Sequence, residues 1–178
     1  MKELKFSQVW PEKMGELAGK ETNFSAKIIA CLHFCNKIGK SIDPYTMNNQ
    51  NHINKVMNFE YLEKRHTIRK GKKYKDGQIV RPMSIDSNGD SFPFAPDMNI
   101  VSVQDIEIRR GINHKYFDLL IDGDLKWGNA FGNLLNFDMD KFIVNDGFAD
   151  VNDFVKYFNE YFNEGFHGQI LHFTDLRY

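Results

Sequence analysis

The densest run of chemically capable side chains in this sequence is Lys64-Arg65-His66-Thr67-Ile68-Arg69-Lys70-Gly71-Lys72-Lys73-Tyr74-Lys75. Read as a strand, its first half sends alternate side chains to opposite faces. His66 and Ile68 go one way, while Arg65, Thr67 and Arg69 go the other. Lys64, at the strand entrance, can bend toward the Thr67 side. A hydroxyl flanked by an ammonium and a guanidinium suits an anion or the polar edge of a base, because charged donors make the stronger hydrogen bonds. Lys64, Arg65, Arg69, Lys72 and Lys73 are therefore candidate nucleic-acid contacts. A second reading of the same residues is a solvated hairpin whose lysines keep an edge strand from pairing with other chains.

Charge balance makes the cluster matter. Lys and Arg total 23 against 24 Asp and Glu, a net charge of −1, which argues against a general polyanion binder. Any nucleic-acid function must come from local charge. Other constellations are poorer. Asp86, Asn88, Asp90 and Asp97 stand at calcium-loop offsets, but Ser91 occupies the position of the sharp-turn glycine and no helices flank the segment, so a turn is expected. Cys31 and Cys35, four apart in a helical stretch, are neither a disulfide framework nor a zinc pair. No metal and no cofactor is expected. Phe92 and Phe94, interleaved with Pro93 and Pro96, could form a stacking lip for a base or simply pack a loop, and Tyr74 and Trp127 share that ambiguity.

The elements that must position these residues follow from periodicity. A helix is predicted over 24–37, where Phe24, Lys27, Ile28, Cys31, Leu32 and Cys35 recur at helical spacing behind Thr22 and Asn23, either of which can cap the first turn. The Asn-rich stretch 39–58 reads as a surface excursion, with a short helix near 53–57. Strands are predicted at 66–69, 78–85, 100–109, 116–121 and 125–127. Asn88-Gly89 and Asp122-Gly123 supply positive φ for tight hairpins, which makes the strands mostly antiparallel neighbours. Asp138, Met139, Phe142 and Ile143, closed by Gly147, make one short helix. Asp150 caps a second, with Val151, Phe154, Val155, Phe158 and Phe162 on one face as core. A last strand is expected at 169–173. At 178 residues the chain is long enough to bury roughly 70% of its unfolded surface as one domain.

In three places the sequence resembles the ASCH domains, a PUA-like β-barrel family. Lys64-Arg65-His66-Thr67-Ile68-Arg69 resembles the Lys-x-x-Thr core of the Gly-x-Lys-x-x-Thr signature with its Ile-Arg extension. Asp146-Gly147-Phe148 followed by Asp153-Phe154 is similar to the family's acid before a Gly-aromatic pair, and Ile170 to Phe173 to its closing strand. Leu62 stands where the signature has Gly, and Asp146 where the family's enzymes have Glu. The resemblance covers roughly residues 60–175. It implies an α+β fold, a small mixed or antiparallel β-barrel with flanking helices, preceded by a helical extension over 1–60. It also implies RNA or a modified nucleobase as partner. In one bacterial branch it implies an amidohydrolase that deacetylates acetylcytidine, with Lys64 as base, Thr67 as nucleophile and Asp146 as proton donor. A Thr hydroxyl needs such a neighbouring base, and partial burial would make Lys competent.

Two expectations result: binding of RNA or a nucleobase at the basic strand and, alternatively, deacylation of a nucleoside. The acid separates them, since a binder needs only the cations. No stretch approaches a membrane span and the N-terminus lacks an apolar leader, so residence in the cytoplasm and no membrane partner are expected.

Overall fold

The computed structural model describes residues 1–34, 64–111, 117–128, 137–161 and 163–178. Its strands are Lys2–Ser7 (β1), His66–Lys70 (β2), Ile79–Ile85 (β3), Ser91–Pro93 (β4), Met98–Asn99 (β5), Ser102–Arg110 (β6), Phe117–Ile121 (β7), Asp124–Trp127 (β8) and Phe166–His172 (β9). Its α-helices are Phe24–Phe34 (α1), Met139–Asn145 (α2) and Val151–Phe158 (α3), with 3-10 turns at Glu12–Leu17 and Asn159–Tyr161.

Alternation makes β1 a strand: Leu4 and Phe6 are buried while Glu3, Lys5 and Ser7 are exposed. It pairs in parallel with β3, which also takes β4 and β5 as antiparallel partners. The larger sheet is antiparallel throughout, in the order β2-β9-β6-β7-β8. The chain is thus α+β with two sheets, and among the described residues no strand pairing closes them into a ring. Both expected hairpins form. Asp122 and Gly123 have φ of 53° and 87°, but at the other turn only Gly89 is positive, at 89°. There the Asp86 carboxylate accepts the amides of Asn88 and Asp90, which uses the acid to hold a turn, as expected, rather than to gather a cation.

Caps fix the helices. Asp138 accepts the Lys141 amide and Asp150 the Asp153 amide, while Thr22 Oγ1 accepts the amide of Phe24. Two cores lie on the two sides of the β2–β9 pair. Ile68, Ile170, Phe166 and Ile106 pack with Phe142 of α2 and with Phe154 and Phe158 of α3. On the other side Leu171 and Phe173 pack with Leu4, Phe6, Val80 and, from α1, Ile28 and Leu32. β2 is an edge strand with buried chemistry on both faces.

Cys31 is buried. The expected residues 35–37 of the first helix, Cys35, the Asn-rich excursion with its short helix, Leu62, Tyr116 and Phe162 lie outside the described residues. Trp127 packs on Phe117 at 4.7 Å and Phe94 on Phe6 at 5.8 Å, whereas Phe92 is exposed. No helix among the described residues is long and apolar enough to cross a membrane.

Candidate functional site

The site is assembled where the end of α2 meets the entrance to β2. The Arg65 amide donates to the Asn145 carbonyl and the Lys64 amide to the Lys27 carbonyl, so Lys64 enters between α1 and α2. α2 stops in a Schellman turn: Gly147 N–H donates to the Val144 carbonyl and Phe148 N–H to that of Ile143, with Gly147 at φ +96°. This turn fixes Asp146 opposite Lys64. Lys64 Nζ donates to the Asp146 carboxylate at 2.8 Å and also to the Asp146 carbonyl. The same carboxylate oxygen, Oδ1, accepts the β2 amide of Ile68 at 3.1 Å. Lys64 Nζ sits 4.6 Å over the Phe24 ring.

Both members of the pair are almost wholly out of water, with Lys64 1% exposed and Asp146 4%. Burial pulls the Lys64 ammonium down to about 8 although the carboxylate beside it pulls the other way, and Arg69 and Lys27 lower it further. Burial raises Asp146, opposed by Lys64, Arg69 and the Ile68 amide. The two proton affinities are pushed toward each other. The attraction within the pair favours ammonium and carboxylate, while burial works against both charges.

Lys64, Thr67 and Asp146 line one cavity of about 180 Å³, together with Arg69 and aromatic walls from Phe6, Trp10, Phe24, Phe148 and Tyr157. The walls interlock: Trp10 meets Phe24 at 5.1 Å and Phe148 at 5.4 Å, and Phe148 meets Tyr157 at 5.4 Å. Arg69 donates from Nη2 to the Lys5 carbonyl at 2.7 Å and lies 4.6 Å over the Phe6 ring. The expected cations thus divide. Lys64 and Arg69 turn inward and Arg65 is half-buried, while Lys72 and Lys73 are exposed on the turn after β2, with Lys72 paired to Asp105.

No family model, no curated protein and no solved structure matches the chain.

Several contributors gave no chemical signal in the sequence. Trp10 is far along the chain from Tyr157, and the two line one cavity only in the fold. Lys27, read as one residue of a helical stripe, places Nζ on the Gly147 carbonyl at 2.7 Å and so ties α1 to the turn that carries Asp146. Behind the cavity lies a buried polar set. Asn145 Nδ2 donates to the Tyr178 hydroxyl at 2.9 Å, and that hydroxyl lies 3.0 Å from His66 Nδ1. His66 Nε2 lies 4.0 Å from Asp146 Oδ1. Burial holds His66 well below the usual imidazole range, so the ring is neutral. Among the described residues no group of three or more His, Cys, Asp or Glu could hold a metal.

Proposed function

We propose that the cavity between β1, α1 and β2 binds one nucleobase, as a nucleoside or as a single unstacked residue of RNA. The observation that carries this reading is the convergence of Lys64, Thr67 and Asp146 in one aromatic-walled cavity. Its volume lies below the several hundred Å³ that drug-sized ligands occupy, which suits a single ring. Aromatic walls hold a flat base by stacking, and the ammonium, hydroxyl and carboxylate supply donors and acceptors for its polar edge. A phosphate-tracking groove has less support, because Lys64 and Arg69 point inward and leave Lys70, Lys72, Lys73 and Lys75 to meet a backbone. The ASCH resemblance, closure of the two sheets into a small PUA-like barrel and residence in the cytoplasm belong to the same reading.

One observation favours a second reading, deacylation. Lys64, at about 8, and Asp146, with its affinity raised, form a base and an acid by moving one proton along a bond already made. The Lys64 amine then accepts the Thr67 proton as Oγ1 bonds to the acyl carbon. The carbon–nitrogen bond breaks, and the departing amine takes the proton of the Asp146 carboxyl. Water, giving its proton to Asp146, cleaves the acyl-threonine, and the Lys64 ammonium returns a proton to Thr67.

The test is calorimetric titration with cytidine, then incubation with acetylcytidine. Saturable cytidine binding that Thr67→Ala and Phe24→Ala each weaken about tenfold is expected, with cytidine released from acetylcytidine by wild type and not by Thr67→Ala. Absence of binding would remove the first reading. Binding without release would remove only the second.

A further inference from the structure

The cavity carries more positive charge than its own residues compensate. Lys64 has three charged neighbours that act on it: the Asp146 carboxylate, the Arg69 guanidinium and the Lys27 ammonium. Three cations therefore share one carboxylate, and that carboxylate is already occupied by Lys64 and the Ile68 amide. Arg69 is held from two sides, by the Lys5 carbonyl at Nη2 and by the Phe6 ring below its plane. Its Nε is buried yet has no hydrogen-bond partner among the described residues. An unpartnered buried donor on a guanidinium fixed in place is costly, and charges out of water are normally paired. Lys64, with three donors, gives two to Asp146.

We propose that the molecule entering this cavity is anionic, a planar ring bearing a carboxylate or phosphate group, and that Arg69, with the remaining donor of Lys64, receives the anion. This rests on the nucleobase reading above and adds the ligand's charge to it. The aromatic walls take the ring, and the anion supplies the charge that Asp146 alone does not. A neutral ring leaves the positive charge of Lys64, Lys27 and Arg69 matched by Asp146 alone. Because the contact is shielded from solvent, its strength depends less on salt than contacts at the exposed lysines of the following turn.

Two matched pairs of probes separate ring from charge and carboxylate from phosphate: uracil against orotate, and uridine against uridine monophosphate, each titrated calorimetrically. In at least one pair the anionic member is expected to bind about tenfold tighter or more, the worth of one charge-assisted hydrogen bond. A preference within the first pair assigns a carboxylate, and one within the second a phosphate. Arg69→Gln is expected to reduce that preference to less than about threefold. The Arg69 Nε–H resonance of the wild-type protein, followed by NMR, is expected to move with the preferred anion and not with its neutral partner, which decides the matter even if the variant does not fold. Equal binding of neutral and anionic members in both pairs, or a still Nε–H resonance, overturns the inference and leaves the nucleobase reading standing. No binding of any of the four probes overturns the inference, and absence of cytidine binding as well overturns both.

Discussion

A lysine and an aspartate buried as a pair are a poor way to stabilise a fold and a good way to build a site. Desolvating both ions costs about what their attraction returns, whereas stranding one of them costs about 3–5 kcal/mol. Lys64→Met is expected to lose stability of that order at pH 7 in urea unfolding, and Lys64→Met/Asp146→Asn to recover more than half of it. A double variant as unstable as the single one would mean that Lys64 matters through packing alone. The pH dependence has a definite sign. Lys64 holds its proton less tightly folded, at about 8, than unfolded, at 10.5, so between those values the unfolded chain binds more protons and stability rises with pH. The rise amounts to about 3 kcal/mol. Unfolding free energies across pH 7.5 to 10.5 should show it in the wild type and lack it in Lys64→Met; identical slopes would contradict the assignment.

At the scale of elements, the turn that ends α2 is what brings Asp146 to β2. Gly147 is at φ +96°, and a Cβ there would lie 3.0 and 3.1 Å from the Phe24 ring and 3.3 Å from Lys64 Cδ. Gly77 also has positive φ, at +72°, but faces open space. Gly77→Ala is therefore expected to cost only the backbone strain, about 1–2 kcal/mol, and to leave ligand binding unchanged. Gly147→Ala should cost more and lose binding as Phe24 and Lys64 are pushed aside. Thermal melts with cytidine titrations compare the two, and equal effects would remove the turn's special role. Local grammar made this region legible: Lys64-x-x-Thr67 read as a strand entrance, Asp150 as a cap, and Gly147 as a stop all describe near neighbours in the chain. β1 was not legible, because only Leu4 and Phe6 mark its buried face and its partner β3 lies more than seventy residues away, in parallel. Cation exposure was the other thing sequence concealed. Arg69 and Lys72 look equivalent in a basic run, yet one lies on Phe6 inside the cavity and the other is on the surface.

At the scale of the whole molecule, β2 contributes to two buried regions, the cavity that Thr67, Ile68 and Arg69 line and the imidazole pair of His66 and His172. His66 and His172 are both fully buried, their rings 5.7 Å apart, and both are held neutral. Burial, with help from Arg177, brings His172 down to about 4 against the opposing pull of Asp122 and Asp76. The unfolded chain takes up a proton there near 6.5, so stability is whole above that value and falls as pH drops toward 4, by about 3 kcal/mol from His172 alone. His172→Phe should flatten the stability profile between pH 4 and 6.5; an unchanged profile would show that other groups govern acid unfolding.

In the proposed function, ligand enters between β1, α1 and β2 rather than meeting the lysines beyond. Amide and indole NMR during a cytidine titration addresses it most directly. Saturable shifts are expected at the Ile68 amide, which is bonded to Asp146, at the Trp10 indole and at the Phe148 amide, with the amides of Gly71, Lys72 and Lys73 unmoved. Shifts confined to the Gly71–Lys75 turn, or none at Ile68 and Trp10 at saturating cytidine, would contradict it.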